Sequence, residues 1–505
     1  MKILPVELIR EADAYTIKNE PIASIDLMER AAYQCFKWIK KVFRRDAPIN
    51  IFCGPGNNGG DGLVISRLLI ADGYHVVTII LRISDKFSPD FIANLERLEK
   101  SKKAVIYNVT TLQDLPDIPD GSIIIDAIFG SGLSKPIEGF AAEVIRLIND
   151  TNSTRIAIDI PSGLYADQHS ALPKAAIVKA DYTLTFQYPK LSFLFAENEH
   201  YVGKWIVLPI GLMDEATKDK EIRNFTIDRA DAFSLLKSRT QFSHKGHFGH
   251  ALLIAGSYGK TGAAVLAAQA ALRSGAGLVT AHLPASSRQI MQTAAPEVMV
   301  SIDNNDRFIS HHPDLSLFNT IAIGPGLGLA KETQQALKLL IQNATVPLLF
   351  DADALNILAE NKTWISFIPP LSIFTPHPKE FERLFGKFAN AFERNKRQIE
   401  FSVMHRIYIV LKGAFTSIST PDGKCFFNTT GNPGMATGGS GDVLTGVILG
   451  LLAQGYHPQE AAILGVYLHG LAGDIASKDK SQEAMIAGDI TENLGAAFKK
   501  IRKNK

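Results

Sequence analysis

Twice along this chain of 505 residues, short apolar runs rich in β-branched residues alternate with longer segments whose apolar residues recur every three or four positions. Runs of the first kind predict strands buried on both faces, and segments of the second kind predict amphipathic helices. Strands that alternate with helices are joined by crossovers, which makes the strands parallel and covers both faces of their sheet. The alternation therefore predicts an α/β protein.

The predicted elements divide the chain into two halves. Strands are predicted at 49–53, 75–81, 122–125, 155–158, 182–186 and 204–208, and again at 250–255, 278–283, 320–323, 348–350, 372–374 and 407–411. Helices are predicted at 27–43, 63–71, 263–274, 332–342, 379–385 and 442–453. The charged segment 214–225 lacks an apolar period and predicts a linker, with an exposed helix inside one larger domain as the alternative. We therefore expect domains at 1–213 and 226–505.

Charge and cysteine content exclude several classes of protein. The 53 basic and 51 acidic side chains give a net charge of +2 without a block of one sign, so neither a nucleic-acid nor a membrane partner is expected. The amino terminus lacks the apolar centre of a signal peptide. The three cysteines are too few and too scattered for a disulfide framework. These features predict a cytoplasmic protein.

A glycine-rich segment, 431–442, is the strongest functional signal in the second half. Five of its twelve residues are glycine, it ends on Asp442, and an apolar helical pattern follows at once. Loop amides at a helix N-terminus bind phosphate groups, and a carboxylate there suits a general base that takes a proton from a hydroxyl. The segment therefore predicts phosphoryl transfer, with a structural turn capped by Asp442 as the alternative.

Three motifs of the first half follow predicted strands. A polar loop at 57–62 opens a helix, Asp126 precedes a glycine-rich loop, and Asp159 precedes Ser162. If their strands are neighbours, Asn58, Asp126 and Ser162 could offer oxygens to one hard cation, which would leave Asp159 free as an acid or base. An aspartate at a strand end also commonly forms a turn, so a purely structural role stays open for each motif taken by itself.

Further motifs follow the strands of the second half. The sequence at 259–261 resembles the end of a P-loop, but Ile254 stands where the first glycine of that motif belongs. Glycines at 324–328 predict a substrate or phosphate contact. Asp351 and Asp353 could hold Mg²⁺ or cap a turn. Prolines on both sides of His377 fix its backbone, which favours a ligand contact.

These motifs carry a resemblance to known families. The second half resembles the ribokinase-like family over most of residues 226–503, and the first half resembles the epimerase domain of the NAD(P)H-hydrate repair enzymes over residues 1–213. Both halves in this order are similar to the bifunctional enzymes of that family. The resemblance implies two three-layer α/β domains, Rossmann-like and ribokinase-like.

The resemblance also implies a chemistry. The first domain would epimerise NADHX and NADPHX, which are NADH and NADPH with a water added at C6 of the nicotinamide ring. The second would dehydrate the S form with ADP as co-substrate, releasing AMP and phosphate, with Asp442 as the base. K⁺ would bind to the first domain and Mg²⁺ to the second, and the protein would be a homo-oligomer.

The site residues implied by the resemblance fall into four groups, two of which include a catalytic aspartate. In the epimerase domain the substrate would contact Asn57, Asn58, Gly59, Gly60, Asp61, Gly130, Ser131, Gly132, Leu133, Ser134, Lys135, Pro136 and the catalytic Asp159. K⁺ would be held by Asn58, Asp126 and Ser162. In the dehydratase domain the substrate would contact Ala263, Gly326, His377 and the catalytic Asp442. The nucleotide would contact Lys412, Gly413, Ala414, Phe415, Thr416 and Gly441.

Two other functions compete with repair. A small-molecule kinase could use the same Asp442 chemistry on a vitamin or sugar, and the first domain could be only a binding or scaffold module. The attached first domain argues against a kinase. The presence of Asn58, Asp61, Asp126 and Asp159 argues against an inactive scaffold.

Overall fold

The protein is described from a computed structural model, which covers residues 1–170 and 175–503. The chain forms two compact units. The N-terminal unit comprises Lys2–Ile222 with Asn390–Phe392, and the C-terminal unit comprises Met1, Arg223–Ala389 and Glu393–Lys505. The segment 214–225 contains a 3-10 turn at Asp214–Thr217 and the start of a strand at Asn224. In the described part of the chain, no helix is both long enough and apolar enough to cross a bilayer.

The N-terminal unit is built on a parallel sheet. Its seven strands are β2 (Ile49–Cys53), β3 (Val76–Leu81), β4 (Val105–Val109), β5 (Ile123–Ala127), β6 (Thr154–Ile158), β7 (Tyr182–Phe186) and β8 (Lys204–Leu208), and the short strand β1 (Lys2–Ile3) is not part of this sheet. Its helices are α1 (Val6–Asn19), α2 (Ser24–Val42), α3 (Asn57–Ala71), α4 (Pro89–Glu99), α5 (Gly139–Asp150) and α6 (Glu199–Val202). The sheet order is β4–β3–β2–β5–β6–β7–β8, with every neighbouring pair parallel.

Helices cover both faces of this sheet, because successive strand residues point to opposite sides. On β2, Ile51 packs in a cluster with residues of α2, α3 and α4, whereas Phe52 packs in a second cluster with residues of α5. The central strands lie within about two residues of their predicted bounds. The edge strand β4 was not predicted, because most of its residues are exposed and it carries no continuous apolar run.

The C-terminal unit has a larger mixed sheet. Its strands are β9 (Asn224–Ile227), β10 (His250–Ile254), β11 (Leu278–Leu283), β12 (Met299–Ile302), β13 (Thr320–Ile323), β14 (Leu348–Phe350), β15 (Ile373–Phe374), β16 (Tyr408–Leu411), β17 (Ser417–Ser419) and β18 (Cys425–Asn428). They lie in the order β9–β18–β17–β16–β15–β14–β13–β10–β11–β12. Pairing is antiparallel where β17 meets β16 and β18, and parallel for the other pairs of this order.

Helices again cover both faces of this sheet. They are α7 (Arg229–Leu235), α8 (Thr261–Arg273), α9 (Arg288–Ala294), α10 (Lys331–Asn343), α11 (Ala352–Glu360), α12 (Pro378–Phe385), α13 (Ala391–His405), α14 (Ser440–Ala453), α15 (Pro458–Lys480) and α16 (Ala487–Arg502). Leu253 of β10 packs with α8 and α14–α16, while Leu252 packs with α10–α12. The predicted three-layer α/β architecture is confirmed for both units.

The glycines of α14 let this helix lie against α8. A Cβ at Gly446 would stand 2.1 Å from the carbonyl oxygen of Ala267, and one at Gly450 would stand 2.4 Å from that of Ala271. Glycine therefore occurs here because the two backbones approach too closely for any side chain. This contact holds α14 in position, with Asp442 in its first turn.

Candidate active sites

The motif loops of the C-terminal unit come together because the strands before them are neighbours. β16, β15, β14, β13 and β10 lie side by side and parallel. At their carboxyl ends, residues 412–416 follow β16, His377 follows β15, and Asp351 and Asp353 follow β14. Residues 324–328 follow β13, and residues 256–260 follow β10. This edge of an α/β sheet is where ligands bind.

Asp442 is a half-buried carboxyl in the first turn of α14. Gly439, whose φ of 90° is left-handed, is the N-cap of this helix, so the alternative that Asp442 is the cap is wrong. Burial raises the pKa of Asp442 to about 7; Asp351 and Asp353 add to the rise, and Lys412 opposes it. A carboxyl with a pKa near neutrality can accept and release a proton under physiological conditions.

Asp351 and Lys412 form a buried ion pair beside Asp442. Lys412 Nζ lies 2.9 Å from Asp351 Oδ1, and the side chain of Asp351 is 1% exposed. Thr375 Oγ1 donates to the same oxygen at 2.8 Å, and Thr445 Oγ1 donates to Oδ2 at 2.7 Å. Burial acts to lower the pKa of Lys412, but Asp351 and Glu380 outweigh burial and raise it. Lys412 is thus held as a cation.

Asp351 and Asp353 lie in separate hydrogen-bond networks, and their binding of Mg²⁺ stays a prediction. Both oxygens of Asp351 already accept hydrogen bonds from protein groups. Asp353 is separately engaged, since its Oδ2 accepts from the Gly328 amide at 2.8 Å and from Lys260 Nζ at 3.2 Å. Asp351 is therefore a positioning group, and only Asp353 retains partial exposure.

His377 is fixed by the start of α12, of which it is the N-cap. Its Nδ1 accepts from the amides of Lys379 and Glu380 at 3.1 and 3.3 Å, and its own amide donates to Glu380 Oε2 at 2.8 Å. Burial lowers the pKa of His377. The imidazole is therefore neutral at physiological pH, with a side chain that is 44% exposed at the sheet edge. Its contact with substrate stays a prediction.

Two predicted substrate positions are in contact. Gly326 has a left-handed φ of 61°, and a Cβ there would stand 2.6 Å from the carbonyl oxygen of Lys260 and 3.1 Å from the Cβ of Ala263. Ser257 Oγ donates to the carbonyl oxygen of Gly326 at 2.8 Å. The loops before α8 and after β13 therefore form one wall, and α8 begins at Thr261 without a P-loop.

The predicted nucleotide positions also converge. Residues 412–416 form the turn between the antiparallel strands β16 and β17, where Thr416 Oγ1 donates to the carbonyl oxygen of Gly413 at 3.0 Å. Gly413 and Ala414 are exposed there. A Cβ at Gly441 would lie 3.2 Å from Lys412 Nζ, so the start of α14 adjoins this turn. Their binding of a nucleotide stays a prediction.

Asp474 of α15 anchors the start of the glycine-rich segment. Its Oδ2 accepts from the Gly431 amide at 3.0 Å, and its Oδ1 accepts from Asn432 Nδ2 at 3.1 Å. Nearer to Asp442, the buried His469 lies 3.0 Å from the carbonyl oxygen of Ser440. Burial lowers the pKa of His469 to about 4, so it is neutral there. No local sequence pattern marked either residue, because both lie on a helix more than 25 residues away.

In the N-terminal unit, Asp126 and Ser162 meet because β5 and β6 are neighbours. Ser162 Oγ donates to Asp126 Oδ1 at 2.5 Å, and the Ser162 amide donates to Oδ2 at 2.8 Å. Burial raises the pKa of Asp126 to about 6, against the effect of these hydrogen bonds. Asn58 lies against Gly130 of the next loop, and its Nδ2 is buried without a hydrogen-bond partner.

The segment 57–62 is helical, which corrects the prediction that it is a loop. α3 begins at Asn57, and Asn58, Gly59, Gly60 and Asp61 are buried in its first turns. A Cβ at Gly59 would stand 1.8 Å from the carbonyl oxygen of Gly54, so the helix start presses on the strand end. The second predicted substrate loop, 130–136, follows β5 and is mostly exposed.

Asp159 follows β6 and pairs with a lysine that the sequence analysis did not identify. Lys190 Nζ lies 2.8 Å from Asp159 Oδ1, with side chains that are 1% and 13% exposed. Burial alone would raise the pKa of Asp159, but Lys190 and hydrogen bonds from Ser131 and Phe186 lower it. Only the pairing of β6 with β7 brings Lys190 to this place. A lysine after a strand carries no distinctive local pattern, so no sequence signal marked it.

Comparisons with known proteins show the family to which each half of the chain is similar. Residues 251–495 match the family model described as NAD(P)H-hydrate dehydratase, and residues 24–192 match that described as YjeF-related protein N-terminus. The chain is 38% identical over 490 residues to the bifunctional NAD(P)H-hydrate repair enzyme Nnr of Moorella thermoacetica, covering 94% of this chain and 92% of that protein. It is 33% identical to the Escherichia coli enzyme of the same name, covering 93% and 88%.

A solved structure is similar to the second half. It is that of the ADP/ATP-dependent NAD(P)H-hydrate dehydratase from Bacillus subtilis, co-crystallised with ATP and Mg²⁺. The sequence identity is 32% and the TM-score is 0.49, with 55% of this chain and 99% of that chain covered.

Proposed function

The chain belongs to the family of bifunctional NAD(P)H-hydrate repair enzymes, and we propose how its two units divide the repair between them. The N-terminal unit interconverts the R and S hydrates of NADH and NADPH. The C-terminal unit dehydrates the S form at the expense of ADP, giving AMP and phosphate. Together they return both epimers to the intact cofactor, because epimerisation supplies the form that the dehydratase consumes.

Dehydration is difficult because hydroxide is a poor leaving group. In the proposed reaction, Asp442 takes the proton of the substrate hydroxyl. The hydroxyl oxygen attacks the terminal phosphoryl group of the nucleotide, and AMP leaves. Phosphate is then expelled by the ring nitrogen lone pair, and loss of a proton from the adjacent carbon restores the ring double bond. Lys412 and the first-turn amides of α14 stabilise the charge that develops on the transferred group.

The residues around Asp442 fit a magnesium nucleotide. Asp351, Asp353 and Glu380 all act to raise the pKa of Asp442, while Lys412 opposes them, so the site carries an excess of negative charge. Asp353 is the candidate ligand for Mg²⁺, which in nucleotide enzymes is bound by few carboxylates and mainly by phosphates. When bound, Mg²⁺ neutralises the phosphate oxygens. Residues 412–416 and Gly441 are proposed to bind the nucleotide, and Ala263, Gly326 and His377 the hydrate.

The N-terminal unit fits a bound K⁺. Asp126 is fully buried beside Ser162, and the hydrogen bonds to its oxygens come from uncharged groups. The side-chain oxygen and nitrogen of Asn58 have nearly the same shape, so the amide can be placed with the two atoms exchanged. Its carbonyl oxygen then stands where the unpartnered Nδ2 is and can bind the cation. A bound K⁺ would supply the missing positive charge. The hydrate is proposed to lie against residues 57–61, 130–136 and Asp159.

The raised pKa of Asp442 in the first turn of α14, beside Lys412, is the observation that best supports the dehydratase assignment. The test is to incubate the protein with mixed R and S hydrates and to follow the return of NADH absorbance with ADP, with ATP and without nucleotide. Full conversion requires both units, and conversion of the S fraction alone requires only the second. No conversion, together with phosphorylation of a vitamin or sugar, would instead identify a small-molecule kinase.

Two further properties are proposed. We expect the enzyme in the cytoplasm, where its three buried cysteines remain thiols and its cofactor substrates occur. We also expect a homo-oligomer, which sedimentation of the purified protein will test.

A further inference from the structure

Charged side chains from separate elements of the N-terminal unit interact at the carboxyl end of β6. Asp159 follows β6, Lys190 follows β7, and Asp13 lies on α1. Asp159 acts on the pKa of Asp13 to raise it, and Lys190 acts to lower it. Among the described residues, the other titratable groups that interact with this set are Cys35, Asp61, Asp167 and Tyr188.

The hydrogen bonds of Lys190 show that it is not a proton donor to substrate. Its Nζ donates to Asp159 Oδ1 at 2.8 Å, to Thr185 Oγ1 at 3.1 Å and to the carbonyl oxygen of Tyr188 at 3.4 Å. An ammonium group has three hydrogens, so these acceptors use all of them. With a side chain that is 1% exposed, Lys190 is a fixed internal cation that acts through Asp159.

Asp159 is held in a strained and oriented position. Its φ of 64° is left-handed, a region that residues other than glycine adopt rarely and at a cost, and its amide donates to the Leu184 carbonyl oxygen at 2.7 Å. Contacts from Lys190, Thr185 and the Phe186 amide all fall on Oδ1. Oδ2 is therefore the oxygen available to a ligand.

Asp13 lies on the helix that borders the same site. One turn earlier on α1, the guanidinium of Arg10 comes so close to Gly132 that a Cβ there would stand 2.6 Å from Nη2. Residues three apart share a helix face, so Asp13 lies on the side of α1 that borders the 130–136 loop. Burial raises the pKa of Asp13 to about 6, with Asp159 adding to the rise. The pKa values of the two carboxyls are therefore shifted in opposite directions, which is how acid and base roles are divided between paired carboxyls.

We propose that Asp13 and Asp159 are the acid–base pair of the epimerisation, and that Lys190 is the positioning residue that keeps Asp159 ionised and aimed at the substrate. This assignment rests on the proposed epimerase activity of the N-terminal unit. It adds a catalytic residue from α1 and a positioning residue from the segment after β7.

The chemistry follows from the substrate, whose hydroxyl is on a ring carbon bonded to nitrogen. Asp13 gives its proton to the hydroxyl, the C–O bond breaks as the nitrogen lone pair forms a C=N bond, and water leaves. Water then adds to the opposite face of the same carbon and gives its proton to Asp159. The product is the inverted hydrate, and exchange with solvent returns the proton to Asp13. The reverse reaction exchanges the two roles.

The test uses the full-length chain and the R hydrate, separated from the S hydrate by chromatography. Without nucleotide, chromatography follows the appearance of the S hydrate. For Asp13→Asn we expect kcat to fall about 10²–10⁴-fold with little change in KM, the range that one acid–base group contributes. Glu11→Gln, an exposed change of the same charge on the same helix, should keep the wild-type rate. In ¹⁸O-labelled water, each wild-type turnover should place one ¹⁸O in the product.

Lys190 requires a readout that a purely structural role would not change. In Lys190→Met the pKa of Asp159 loses its main opposing charge and rises, so the acidic limb of the epimerase pH profile should move to higher pH. Lys190→Arg, which keeps the charge, should restore much of the shift. Wild-type rates in Asp13→Asn, no ¹⁸O in the product, or an unmoved limb in Lys190→Met would each overturn the assignment. If the wild-type protein does not epimerise, the proposed function itself fails.

Discussion

The substitution Asp442→Asn should strongly slow dehydration and at the same time stabilise the C-terminal unit at alkaline pH. The folded structure raises the pKa of this carboxyl from 3.8 to about 7, chiefly by burial. A carboxyl whose pKa is raised by folding favours the folded state fully at pH values below its pKa in the unfolded chain. That contribution is lost as the pH rises through its pKa in the folded protein. The ionised Asp442 is therefore a destabilising group that the enzyme retains for its chemistry.

The magnitude follows from that shift. About three pKa units at 1.36 kcal/mol each give an upper limit of about 4 kcal/mol, and screening of a half-buried group by solvent reduces this to about 1–2 kcal/mol. Asparagine has the same shape but no charge. The gain in free energy of unfolding in Asp442→Asn should therefore be absent below about pH 4, partial at pH 5 and complete above pH 7. Loss of the base should lower the dehydratase rate by about 10²–10⁴-fold.

Urea unfolding of wild type and Asp442→Asn at pH 5 and pH 8 measures the stability difference, and the S hydrate with ADP measures the rate. Asp314→Asn is a control of opposite sign, because hydrogen bonds from Ser316 lower the pKa of this exposed carboxyl. That variant should not gain stability on going to pH 8. An Asp442→Asn protein that is no more stable at pH 8 than wild type, or that dehydrates at the wild-type rate, would refute the reasoning.

Three further changes test other parts of the structure. Lys412→Met leaves the buried Asp351 without its cation, so it should lower the free energy of unfolding in urea by about 3 kcal/mol and remove most of the dehydratase rate. The exposed change Lys387→Met should alter neither the stability nor the rate. Asp126→Asn should make the remaining epimerase activity insensitive to K⁺, measured as a titration with K⁺ against a background of a larger cation; a wild-type K⁺ response would exclude Asp126 as a ligand. Gly446→Ala would place a methyl group 2.1 Å from a backbone oxygen of α8 and should lower the free energy of unfolding by about 1–3 kcal/mol; an unchanged urea midpoint would contradict the close approach of α8 and α14.

Local patterns in the sequence were sufficient for the central strands of both sheets and for the strand ends at which most of the candidate site residues lie. Continuous apolar runs such as Ile49–Cys53 have few alternatives to a buried strand, and polar residues after such runs occur at the carboxyl end of a sheet. The family resemblance followed from those same strand ends and is confirmed. The edge strands Val105–Val109 and Met299–Ile302 were missed, because exposed strands do not need an apolar run.

Tertiary structure decided the chemical state of each group in the two sites. The sequence could place Asp159 and Asp442 at an element end, but pairing with the distant Lys190 lowers the pKa of the first, and burial beside Asp351 raises that of the second. The sequence also suggested that Asp351 and Asp353 act together, whereas hydrogen bonds from three elements bury one of them in a separate ion pair. Protonation depends on solvent exposure and on charges brought near by strand order. For this reason the local sequence determined which residues lie at the sheet edges, and only the assembled fold determined which of them carry protons.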